Sequence, residues 1–217
     1  MTSRQKAEAT RPAPRLYLVT DTVDDADAFA RALETVPIEA LAAVLLQLPQ
    51  RDERSLVNIA KTIVPLVQGR GAALLLAGHA DLVARAGADG AHLADVTALQ
   101  AALPQLKPDR IAGAGGLRTR HDAMLAGEVG ADYAMFGDTD ATGARPPFDV
   151  VLERVGWWSE IFQPPCVAFA AAADEIAPLV QAGADFIAVG AFVWRDPRGP
   201  GAAVAAVLQQ LASREPV

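Results

Sequence analysis

The sequence predicts a single α/β domain, a (β/α)8 barrel of the TIM type, and three observations predict it. One phrase is written three times: Gly87-Ala88-Asp89-Gly90-Ala91-His92-Leu93, Gly130-Ala131-Asp132-Tyr133-Ala134-Met135-Phe136 and Gly183-Ala184-Asp185-Phe186-Ile187-Ala188-Val189. Each copy ends an Ala/Leu-rich helical run at a glycine, which tolerates the left-handed turn, and then enters a short apolar run typical of a buried parallel strand. Apolar and amphipathic runs alternate along the chain without a linker or a break in composition. The length, 217 residues, suits a barrel, which usually takes about 200–250. A doubly wound sheet is the alternative, but it would normally use fewer strands at this length. No Gly-x-Gly-x-x-Gly follows an early strand, so a dinucleotide fold is unsupported.

Taken in order, Arg15-Leu16-Tyr17-Leu18-Val19-Thr20-Asp21 is the first strand, ending in a polar turn. Residues 24–33 form a helix with Ala and Phe on one side, and 40–48 is an apolar run with Gln47 as its polar member. Leu56, Ile59, Ala60, Ile63 and Val67 recur at helical spacing through 52–67. Strand three at 73–76 is followed by a short helix at 81–86, and strand four at 91–93 by a helix at 96–103. Strand five spans 110–114, with a helix at 120–128, and strand six 133–136. A loop rich in Gly, Thr, Asp and Pro covers 137–147 before a helix at 148–162 that carries Trp157 and Trp158. Strands at 166–170 and 186–189, and helices at 173–182 and 202–211, complete eight pairs. Residues 1–14 read as a flexible lead-in and 15–213 as the barrel.

Composition narrows the function. Hydrophobic residues make up 52% of the chain, enough for a thick interior, yet no apolar run reaches the roughly 18 residues that span a bilayer. The polar start has no apolar segment of a secretory signal. One cysteine, Cys166, excludes an internal disulfide framework and fits a reducing cytoplasm. A net charge of −7 argues against nucleic acid or an anionic membrane as partner. The pattern carries no mark of oligomeric state.

Leu16-Tyr17-Leu18-Val19-Thr20-Asp21, the three Gly-Ala-Asp phrases and Trp194-Arg195-Asp196-Pro197, in this order and spacing, resemble the thiamine phosphate synthase family, which includes the thiazole tautomerases. The resemblance runs from Arg15 to Leu211. It implies a (β/α)8 barrel and a reaction joining a pyrimidine pyrophosphate to a thiazole phosphate, with Mg²⁺ on the pyrophosphate. Several positions depart from the family pattern. Its Gln-x-Arg-x-Lys after strand two reads Leu45, Gln47 and Pro49 here, and its Asn-Asp after strand three reads Ala77 and Gly78, followed by His79. Its Gly-Gln-x-Asp after strand four keeps only Asp95. Its Ser-x-His reads Gly115, Gly116 and Leu117, and the tautomerase histidine goes with it. Thr142-Gly143-Ala144-Arg145 keeps one Thr and a positive charge of Thr-x-Thr-Lys, the Gly-Gly turn after strand seven is lost, and Gly190-Ala191 still offers backbone N–H groups. The expectation is a divergent barrel without the standard reaction that binds a small phosphorylated ligand or a partner. A working thiamine phosphate synthase with a modified site is one alternative, and a phosphosugar isomerase or epimerase another. Mg²⁺ is expected only if the family reaction is retained.

The site candidates divide by chemistry. Arg145 is the best anion contact, or else a loop arginine paired with Asp138 or Asp140. Asp95, Asp138 and Asp140 are the possible metal ligands, though Asp138 and Asp140 also suit a turn. His79 would face the barrel mouth or cap the helix near Asp81, and His92 would lie inside strand four as a hydrogen-bonded core histidine. Asp21 and Asp95 are the only inward acid/base pair available to an isomerase, unless they serve as helix caps. Gln47, Thr142, Gly190 and Ala191 complete the ligand candidates. Lys6, Lys61 and Lys107 end no strand, which removes Schiff-base chemistry. Cys166 lies at the opposite end of the barrel. Trp157 and Trp158 cannot share one helix face, so one belongs to the core. Trp194 either floors a flat ligand or packs against the last helix.

Overall fold

A computed structural model describes residues 12–140 and 142–213. Its strands are β1 (Arg15–Thr22), β2 (Leu41–Gln47), β3 (Ala73–Ala77), β4 (Gly90–Leu93), β5 (Ile111–Ala114), β6 (Tyr133–Phe136), β7 (Cys166–Ala170) and β8 (Phe186–Val189). They are parallel and close into a barrel in chain order, β1 pairing with both β2 and β8. The helices are α1 (Ala26–Leu33), α2 (Glu53–Gln68), α3 (Val83–Ala86), α4 (Val96–Leu106), α5 (Arg120–Val129), α6 (Phe148–Ile161), α7 (Ile176–Gln181), α8 (Ala191–Trp194) and α9 (Pro200–Ala212). Residues 1–11 of the expected lead-in lie outside the described residues.

Side-chain chemistry sets where the helices start. Asp25, Asp52 and Asp95 accept backbone N–H bonds from Ala28, Ser55 and Ala98, satisfying donors that a helix leaves free in its first turn. Thr119 and Asp122 form a reciprocal capping box at α5.

The thrice-repeated phrase has one structural job. Asp89, Asp132 and Asp185 each accept the N–H of a residue at the start of the preceding strand, Leu74, Ala112 and Cys166, at 2.7 Å. Each also donates its own N–H to the carbonyl of that same residue, at 2.8–3.0 Å. Every aspartate thus grips β3, β5 or β7 twice and fixes its register. The glycines before them, Gly87, Gly130 and Gly183, have φ between 78° and 105°, a left-handed turn costly for any other residue.

Strand alternation divides the apolar residues between two cores. Leu16, Leu18, Val44, Leu46, Leu74 and Leu76 face the helices. Tyr17, Val19, Leu45, Leu75, Tyr133 and Met135 fill the barrel. Trp158 is fully buried, as one of the adjacent pair had to be. Its Nε1 donates to the Pro164 carbonyl at 2.8 Å and its ring stacks on Phe162. Trp157 is half-buried under Arg120.

Some boundaries differ from expectation. The helices expected at 81–86 and 173–182 each begin as a 3-10 turn, Ala80–Leu82 and Ala173–Glu175. α4 runs past Pro104 to Leu106, whose buried side chain anchors the last turn. The four-residue α8 is too short to leave a periodic signal.

Candidate functional site

Three strands bring a polar chain up the middle of an otherwise apolar barrel. The Tyr17 hydroxyl on β1 meets the Tyr133 hydroxyl on β6 at 2.9 Å, and the Tyr133 hydroxyl meets His92 Nδ1 on β4 at 2.9 Å. The far side of the imidazole, Nε2, lies 3.7 Å from Asp138 Oδ2, just beyond β6. That is an ion-pair distance, too long for a direct hydrogen bond. Asp138 Oδ2 accepts the Gly116 N–H at 2.9 Å. The Tyr133 and His92 rings are stacked at 5.7 Å and 11°. Burial is the main cause that lifts both phenols above the usual tyrosine range.

Two glycines clear the space. A Cβ on Gly113 would overlap the Tyr133 ring, and one on Gly115 would overlap both the Asp138 carboxylate and His92 Nε2. Neither glycine has a positive φ, so each is required by close approach and not by a turn.

The chain ends in a cavity of about 410 Å³ at the carboxyl ends of the strands, where (β/α)8 barrels carry their sites. Asp21, Gln47, Gly190 and Ala191 line it, together with His92 and Asp138. Thr20, Thr139, Met135 and Phe169 complete the wall. The Thr20 hydroxyl accepts the Gln47 N–H at 3.0 Å and ties the β1 and β2 ends together. Among the described residues no lysine or arginine lines this cavity.

The other candidates are engaged elsewhere. Arg145 does not pair with Asp138 or Asp140. It forms a bidentate pair with Glu175 at 2.9 and 2.7 Å and donates to the carbonyls of Gly137 and Phe169 at 2.8 and 3.1 Å. It is thereby a strut between the ends of β6 and β7. Asp140 accepts the Thr142 hydroxyl and the N–H groups of Thr142 and Ala144, and it pairs with Arg118. The Thr142 hydroxyl is the main cause that lowers the Asp140 carboxyl below its usual range. Asp95 is spent on the α4 cap and borders a separate hollow, so it does not join Asp21 in one cavity. His79 makes no side-chain capping bond and lies outside the lining, where Ala77 and Gly78 stand instead. Trp194 packs on Phe29 of α1 and donates to the Val19 carbonyl at 2.7 Å.

A second hollow of about 380 Å³ adjoins the mouth, with Arg118, Arg145 and Arg154 in its wall. These guanidinium groups bond protein acceptors: Arg118 bonds Asp140, Arg145 bonds Glu175, and Arg154 bonds the carbonyls of Leu117 and Arg118.

Of the carboxylates expected to hold the magnesium ion implied by the resemblance, Asp95 caps α4, Asp138 accepts the Gly116 N–H and Asp140 pairs with Arg118. Among the described residues no group of three or more His, Cys, Asp or Glu side chains could hold a metal ion. Nor is any helix among them long and apolar enough to cross a membrane.

The closed ring of parallel strands with a cavity at their carboxyl ends defines a (β/α)8 barrel protein. Within that class, the family model described as "Thiamine monophosphate synthase" matches residues 16–193, and the chain belongs to that family. It is 41% identical over 196 residues to the thiamine-phosphate synthase of Rhodospirillum centenum, covering 88% of this chain and 94% of the relative. It is 38% identical over 208 residues to that of Hyphomonas neptunium, covering 90% and 93%. Among solved structures, the thiamine phosphate pyrophosphorylase of Pyrococcus furiosus superposes with a TM-score of 0.72 at 23% identity, covering 91% of this chain and 96% of the other. An orotidine 5'-phosphate decarboxylase from Pyrococcus horikoshii, at 14% identity and a TM-score of 0.65, shares the fold with coverage of 91% and 99%.

Tyr17 and Tyr133 carry a signal in the sequence, though no charge. Period-two alternation puts Tyr17 on the same face as Val19 and Asp21, and Tyr133 on the same face as Met135.

Proposed function

We propose that this member of the family binds a small ligand at the barrel mouth and does not join a pyrimidine pyrophosphate to a thiazole phosphate. The observation that carries this reading is the wall of the central cavity, which among the described residues presents Asp21 and Asp138 and no lysine or arginine. Handling a diphosphate leaving group calls for fixed positive charge or a metal ion. Arg145, the cation nearest in sequence to that duty, is bound to Glu175 and two carbonyls. A phosphorylated ligand would depend on backbone N–H groups near Gly190 and Ala191. The single cysteine fits a protein working in the cytoplasm.

The test is the family reaction itself: purified protein with both precursors and Mg²⁺, product followed by chromatography. No thiamine phosphate above the protein-free control is expected. Turnover abolished by an Asp138→Asn change would overturn the reading.

The names and coverage of the two relatives favour a second reading, a thiamine-phosphate synthase with an altered site. Under it, the arginine-walled hollow beside the mouth supplies the missing charge. It requires Mg²⁺ and pyrophosphate together to raise the melting temperature.

A further inference from the structure

The direction of the buried hydrogen-bond chain follows from counting protons. Among the described residues the Tyr17 hydroxyl has one partner, the Tyr133 hydroxyl. Tyr17 is 3% exposed and Tyr133 7%, so a hydroxyl proton left without an acceptor there costs about 1–3 kcal/mol. Tyr17 therefore donates to Tyr133. The Tyr133 oxygen is then the acceptor in that bond, and its own proton goes to His92 Nδ1. An Nδ1 that accepts leaves the imidazole proton on Nε2, the nitrogen facing Asp138.

At the end of the chain stands a carboxylate with one oxygen still available. Asp138 Oδ2 takes the Gly116 N–H and faces His92, while Oδ1 has no hydrogen-bond partner among the described residues. Its side chain is 17% exposed and opens on a cavity whose other charged side chain is Asp21. Gly113 and Gly115 keep the space that this arrangement needs.

We propose that Tyr17, Tyr133 and His92 form a one-way hydrogen-bond relay that turns the His92 Nε2–H towards Asp138, and that Asp138 is the specificity-determining acceptor of the cavity, selecting a planar cation such as an amidinium. Tyr17 and Tyr133 are positioning residues, acting through His92. The inference rests on the reading that the mouth binds a small ligand, and it names the class of that ligand. Two carboxylates and no cation make the cavity negative, which attracts such a group and repels a diphosphate. A fixed acceptor discriminates because a ligand without a matching donor would leave it desolvated and unpaired.

Two measurements test it. In protein with ¹⁵N-labelled histidine, the His92 nitrogens should show Nδ1 unprotonated and Nε2 protonated. Tyr17→Phe, which lies outside the cavity wall, should release the constraint and give a mixture of tautomers. A protonated Nδ1 in the parent, or an unchanged single tautomer in Tyr17→Phe, would overturn the relay.

The second measurement compares three probes by thermal shift: benzamidinium, its near-isostere benzoate, and pyrophosphate with Mg²⁺. Benzamidinium alone should raise the melting temperature, and Asp138→Asn should weaken its binding about tenfold or more. A shift with benzoate or pyrophosphate and none with benzamidinium overturns this inference and leaves ligand binding standing. No shift with any of the three overturns both.

Discussion

Replacing Gly113 by alanine adds one methyl group to the barrel interior, and its cost can be worked from the geometry. The new Cβ would fall well inside contact distance of the Tyr133 ring and hydroxyl, with Tyr133 held between Tyr17 and the stacked His92. Overpacking of this kind costs about 1–3 kcal/mol. Pushing Tyr133 aside also breaks the buried hydroxyl chain, for a further ~1–3 kcal/mol. Against this, alanine restricts the unfolded chain and returns about 0.4–1 kcal/mol. The net expectation is a destabilisation of about 2–5 kcal/mol, or roughly 5–15 °C in melting temperature for a chain of this size. Calorimetry and urea titration measure it, and a Tyr133→Leu background supplies the control, because there the methyl should cost almost nothing. A Gly113→Ala protein that melts within about 2 °C of the parent would refute the packing argument.

Four other outcomes follow from the same structure. Asp185→Ala removes the acceptor for the Cys166 N–H and should cost about 1–3 kcal/mol in urea unfolding, with Asp185→Asn retaining part of it. Arg145→Met should destabilise by about 1–3 kcal/mol, because Glu175 and the carbonyls of Gly137 and Phe169 lose a shared donor; Arg145→Lys should not restore it, since an ammonium cannot replace the planar fork. Stability should fall as pH rises past 10, the ordinary tyrosine value, because the unfolded chain then releases phenol protons that the native state holds; Tyr17→Phe should flatten that slope in unfolding curves at pH 9 to 11 (an approximate window). The Asp196 carboxyl is lowered to about 2 by its hydrogen bonds with Arg198, so its contribution is present above 3.8 and fades as pH falls towards 2; Asp196→Asn should remove that small acid dependence from the melting curves.

The barrel was legible because its signals are local. Tyr133–Phe136 and Phe186–Val189 appear as strands at the expected residues, since short apolar runs after a Gly-x-Asp turn leave few alternatives. Helix ends were less legible: α4 keeps Pro104 in its last turns because Leu106 is buried beyond it, a tertiary contact that propensity does not register. The mouth was legible only in part. Asp21, Gln47, Gly190 and Ala191 sit at strand ends, and strand position alone carries them to the cavity. Arg145 shows the limit. Its charge and loop were visible, but its partner Glu175 is 30 residues away and across a strand, and only closure of the barrel brings the two together.

The three aspartate grips are seated at the amino ends of the strands, the opposite pole from the cavity. The pole that locks the staves in register shares no residue with the lining of the cavity. Loops on the cavity side can therefore change in length or charge without touching the hoop below, so long as struts such as Arg145 keep their partners.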